Sequence, residues 1–147
     1  MKKFIFPLDR VLDLRQAQAR VEEMKLERLY GELRAGESRE RSLRDQRLRS
    51  ESEICVRGET TAAELSALGA FQEYVQTQIH RSQQARAACE RRLQAQRQVV
   101  TAKRQEVRLL EKLKLARQQL WQSTVEREIA QQAEESHLAR WNRENIQ

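Results

Sequence analysis

Pro7 is the only proline in 147 residues. A chain with so few helix breakers, and with 34% of its residues charged, cannot divide into the many short elements of a compact mixed domain. It is expected to run as very long helices. One stop and restart stands out, at Arg57-Gly58-Glu59, where glycine can adopt the left-handed conformation that closes a helix without a Cβ penalty. Thr61-Ala62-Ala63-Glu64 follows with the spacing of a capping box, in which the Thr61 hydroxyl and the Glu64 carboxylate each satisfy the other's backbone N–H. A stop and a start this close make a turn. The expected fold is all-α: a long antiparallel two-helix coiled-coil hairpin in one piece over residues 1–147, with a first helix over about 7–57, a turn at 58–60 and a second helix over about 61–143.

The seam can be read in heptads. In the first helix Leu12, Ala19, Leu26, Leu33 and Ile54 share one register, interrupted by Glu40 and Arg47, and Leu29 and Leu43 occupy the companion position. In the second helix one register carries Leu65, Ile79, Leu93, Val100, Val107 and Trp121, and its companion carries Leu68, Val75, Cys89 and Leu110. A fold about Glu59 and Thr60 sets Ile54 opposite Leu65, Leu26 opposite Leu93 and Leu12 opposite Val107, so the two leading registers coincide. The same pairing shows where the hairpin fails to satisfy itself. Residues 37–53 offer only Leu43 and Leu48 as apolar partners to Phe71, Tyr74, Val75 and Ile79. Phe71, Tyr74 and Val75, at i, i+3 and i+4, are therefore expected to form an uncovered patch on one helical face. Pro7 is expected opposite Lys112, which leaves a C-terminal helical overhang from Leu113 to Gln147.

Charge is concentrated. Between Arg81 and Arg117 eleven basic residues stand against three acidic ones, an excess larger than the +6 of the whole chain. Such a face suits nucleic acid, an anionic surface or an acidic protein, or is simply solvated; interleaved aromatics and nucleic-acid-binding motifs are missing, so nucleic acid is not expected. His80 and His137 are far apart, no phosphate-cradling loop or nucleophile with a base occurs, and Cys55 and Cys89 lack the spacing of a metal or redox motif and read as small seam residues. These features point away from an enzyme and imply no cofactor or metal. No apolar run approaches the roughly 20 residues that span a bilayer, and Met1-Lys2-Lys3-Phe4-Ile5-Phe6-Pro7-Leu8 is too short for a signal peptide, so a cytoplasmic location is expected.

Phe4-Ile5-Phe6-Pro7-Leu8-Asp9-Arg10-Val11-Leu12-Asp13-Leu14-Arg15 resembles the head of the flagellar FliJ family, F-x-F-x-L-x-x-V-L-x-x-R, and Phe71-Gln72-Glu73-Tyr74-Val75-Gln76-Thr77 resembles the aromatic segment near the start of that family's second helix. Length and layout agree over the whole chain. The C-terminal stretch Glu128-Ile129-Ala130-Gln131-Gln132-Ala133-Glu134-Glu135 keeps the acidity of the family's E-x-K-x-x-D-E-like ending without its lysine, so no role tied to that motif is carried over. The resemblance implies a component of the flagellar type III protein export apparatus: a coiled-coil stalk bound to the hexameric export ATPase and linking it to the cytoplasmic domain of the export gate and to export chaperones. It implies a place at the flagellar base, peripheral to the inner membrane. On this reading Arg104, Arg108, Lys112, Leu120, Trp121, Val125 and Ile129 are the candidate ATPase contacts, and Phe71, Tyr74 and Val75 the candidate gate contacts. A virulence-type secretion stalk shares the architecture, and a basic coiled coil that binds nucleic acid or scaffolds proteins is the alternative from another class.

Overall fold

The computed structural model describes residues 3–145; Met1 and Lys2 of the head and Ile146 and Gln147 of the expected overhang lie outside the described residues. The chain is an all-α helical hairpin, α1 over Asp9–Arg57 and α2 over Ala62–Asn145. Most of the stability of a protein helix comes from packing its apolar face, which for α1 and α2 is the seam between them. Gly31 and Gly36 each cost a helix interior about 1 kcal/mol against alanine, yet α1 continues through both.

The turn is built as its residues dictate. Gly58 has φ of 72°, the left-handed conformation that ends α1. The Thr61 amide donates to Glu64 Oε2 at 3.0 Å, and the Glu64 amide donates to Thr61 Oγ1 at 3.2 Å, so two of the donors that open α2 are satisfied reciprocally. The Thr61 backbone bond, then the Thr61 hydroxyl and finally the Arg57 charge hold the Glu64 carboxyl below its ordinary value. Because the folded value is lowered, this stabilisation is present above the ordinary carboxylate range and is lost as pH falls through the lowered value. Acidification through that window should loosen the first turn of α2, read as a loss of amide protection at residues 62–65 relative to the intrinsic exchange rate at each pH, and Glu64→Gln should remove this pH-dependent loss. An exchange profile equally acid-sensitive in the variant would refute the assignment.

The hairpin divides into two compact units, one formed by the chain up to Ala19 with the chain from Lys103 on, the other by Arg20–Ala102. In the second unit the buried and half-buried positions of α1 include Leu26, Leu33, Glu40, Arg47 and Ile54, alternating with Leu29, Gly36, Leu43 and Ser50; those of α2 include Val75, Ile79, Cys89, Leu93 and Val100. This is the heptad register of the sequence, polar members included. Helix pairing is antiparallel: Gln96 donates to Glu22 Oε2 at 2.6 Å, Cys89 Sγ lies 3.6 Å from the Leu29 carbonyl, and Gln72 donates to Glu51 Oε1 at 3.0 Å. Towards the turn the seam opens, leaving Leu65 54% exposed. Cys55, expected in the seam, is exposed, whereas Cys89 is buried. Cys55 follows Ile54 directly, and one residue of helical rotation carries it off the seam.

In the first unit Phe6, Leu12 and Ala19 are buried and Val107, Leu110, Lys114 and Trp121 are half-buried. Arg15 pairs with Glu106 at 3.2 Å and Lys114 with Asp9 at 2.7 Å. From Glu126 to Asn145 every residue of α2 is exposed, so the overhang exists, but it starts later than the expected Leu113.

Candidate functional sites

The terminal site lies within the first unit. Residues 3–6 are not helical, and the chain enters α1 through a turn at Pro7 and Leu8 in which the Asp9 amide donates to the Phe6 carbonyl at 3.2 Å. Proline at the front of a helix has no amide to leave unsatisfied, which lets the apolar head turn back onto α2. There Phe6 is 3% exposed, with the Lys114 ammonium 6.0 Å from its ring centroid, and Phe4 meets Trp121 with ring centroids 5.9 Å apart and planes tilted by 52°. Offset and tilted aromatic pairs of this kind stabilise beyond the area they bury. Non-helical chain covers roughly 3.3 Å per residue against 1.5 Å for a helix, so a few head residues reach Trp121, well past Lys112, where the expected helix pairing ends at Pro7.

The expected ATPase contacts therefore separate into two kinds. Arg104, Arg108 and Lys112 are exposed on α2, Leu120 is 68% exposed and Ile129 47% exposed. Trp121 and Val125 are half-buried, and Trp121 is engaged by Phe4. Trp121 is thus first a seam residue that anchors the head, and its free surface is partial.

The second site, in the other unit, differs more from expectation. Val75 is fully buried, the most enclosed side chain of the hairpin, and cannot take part in a surface patch; Ile79 is 6% exposed. The bonds between the helices at this level are made by long polar side chains. Arg47 Nε binds Glu51 Oε1 at 2.9 Å, Gln72 Nε2 binds the same oxygen at 3.0 Å, and Arg47 Nη1 reaches Gln76 Oε1 at 3.5 Å, so the bonds from α1 land on α2 on both sides of Val75. An expectation resting on Leu43 and Leu48 alone leaves out long polar side chains, a class whose methylene stems can cover apolar surface while their heads stay hydrated. What remains at the surface is Tyr74, 58% exposed, and Phe71, half-buried along a groove shared with Ile54, Ala67 and Leu68.

One polar residue in the seam was visible only as an interruption of the register. Glu40 is 6% exposed; Oε1 accepts from Arg44 at 2.6 Å, and Oε2, 3.8 Å from Arg86 Nη1, has no hydrogen-bond partner. His80 makes a 3.1 Å bond with Gln84 on its own helix and His137 is exposed. Among the described residues no group of acidic, histidine or cysteine side chains is placed to hold a metal ion, and no helix is long and apolar enough to cross a membrane. No protein-family model, curated protein or solved structure matches the chain.

Proposed function

We propose that this chain is a stalk component of a flagellar type III export apparatus, in which it binds a hexameric export ATPase and links it to the export gate and export chaperones. One observation carries the reading: the head motif that bears the resemblance has a structural use, with Phe6 buried and Phe4 on Trp121 in the same unit as the exposed Arg104, Arg108, Lys112 and Leu120. A helical terminus held together by its own head, basic on its flank and followed by uncovered helix, suits insertion into the acidic channel of a ring. Tyr74, with the accessible edge of Phe71, is the proposed gate contact; Val75 has no part in it. The protein acts in the cytoplasm, at the membrane only through the apparatus.

The test is direct. Added to its cognate export ATPase, the full chain should shift the enzyme towards hexamers and raise its hydrolysis rate, and the effect should weaken as salt screens the charges. Reversal of Arg104, Arg108 and Lys112 to glutamate should weaken the effect while leaving circular dichroism unchanged, because all three side chains are exposed. Unchanged oligomer size and rate with the wild-type chain would overturn the reading.

A further inference from the structure

A groove of about 460 Å³ runs along the hairpin in the second unit, with Ala35, Gly36, Ser82 and Ala85 among the residues that line it. Gly36 sits at a seam position, yet a Cβ placed on it would meet nothing within 4 Å. The hairpin's own packing therefore does not require the glycine, which costs α1 about 1 kcal/mol of helix propensity. Small side chains and a missing Cβ leave room for another backbone to approach closely. The rim is basic. Four arginines, Arg39, Arg81, Arg86 and Arg92, line the groove against one carboxylate, Glu32. Glu32 is taken by Arg92 at 3.4 Å, and Arg86 is paired with Glu90 at 3.3 Å. Arg39 and Arg81 are exposed and make no ion pair among the described residues.

The chain itself carries a segment of the opposite character. Between Gln122 and Ala139 four carboxylates, Glu126, Glu128, Glu134 and Glu135, stand against a single basic side chain, Arg127. On this stretch of α2 Val125, Ile129 and Ala133 are spaced i, i+4 and i+8, the row that forms a ridge on a helix surface and fits a groove between the side chains of another. Glu126 and Glu128 flank that ridge. Everything in the segment from Glu126 on is exposed, so it lacks the packed apolar face from which protein helices draw most of their stability. The tail is opposite in charge to the groove's rim and carries an apolar ridge.

We infer that the helical tail around residues 125–139 of a second copy docks in this groove, its Val125–Ile129–Ala133 ridge over Gly36 and Ala85 and its carboxylates against Arg39 and Arg81. The contact is electrostatically steered and forms between copies of the chain without any other partner. It uses the tail that the export reading assigns to the ATPase, but it does not rest on that reading, and its test contains the pure chain alone.

Sedimentation of the full chain over a concentration series at low salt should show reversible association, reduced on the order of tenfold or more when salt is raised to about 1 M, where the screening length falls to about 3 Å. A chain carrying Arg39→Glu with Arg81→Glu should lose self-association by a similar factor, and so should one carrying Glu126→Arg with Glu128→Arg. Mixing the two variants should restore association, because the unchanged groove of one then meets the unchanged tail of the other and the two reversed surfaces also match in charge. All four positions are exposed, so circular dichroism should match the wild type in each variant. A wild-type chain that stays monomeric at low salt overturns the inference, as does association untouched by the groove variant. Failure of the mixture to associate would overturn it as well.

Discussion

Val75→Asp should lower the stability of the hairpin by about 3–5 kcal/mol, and with it the helical signal, because it places an unpaired carboxylate where the wild type has a fully buried methyl pair. Tyr74→Ala next to it should change the melting temperature little, since the ring is 58% exposed. The pair of variants separates folding from recognition. If Val75→Asp melted like the wild type, the seam at that level would be open and the polar cover of Arg47, Glu51, Gln72 and Gln76 would not hold. Gate binding lost in Tyr74→Ala with the fold intact would then belong to the side chain and not to a collapsed helix.

Glu40→Leu should act in the opposite direction and stabilise the hairpin by about 1–3 kcal/mol, seen as a higher denaturation midpoint. Glu40 occupies a core position of the heptad, 6% exposed, with Oε2 unbonded, so its carboxylate has given up water for one short bond to Arg44 and a distant arginine. Its partners do not share that cost: the side chains of Arg44 and Arg86 are 57% and 42% exposed and remain hydrated when the carboxylate is removed. Leucine at the same position fills the seam in register with Leu33. A destabilised Glu40→Leu chain would mean that the two arginines depend on the carboxylate and that the ion cluster is a net stabiliser. Retention of a costly buried charge next to the groove lined by Gly36 and Arg86 is consistent with a seam tuned for pairing specificity more than for strength.

These two residues also show where sequence reasoning succeeds and where it stops. The heptad assigned Val75 to a core position and Glu40 to an interruption of the core, and both are buried as the register requires. The mistaken expectation about Val75 came from counting apolar side chains on the facing helix, a rule that misses what arginine, glutamate and glutamine stems cover. The terminal site failed for a different reason. Helix pairing that ends with Pro7 opposite Lys112 gives the residues before Pro7 no place on α2, whereas that head is not helical and covers the distance to Trp121 with few residues.

The sequence by itself determined the turn, the helix ends and the seam, because each depends on local geometry or on a strict period: a left-handed glycine at 58, a reciprocal cap between Thr61 and Glu64, and apolar residues recurring every seven. Only the tertiary structure decided which of those seam positions are closed, how far the head reaches along α2 and where uncovered helix begins. Those outcomes depend on side-chain length and direction across two helices, on Phe4 finding Trp121 and Arg47 finding Gln76, and no period in a single strand of sequence encodes the distance between residues far apart in the chain.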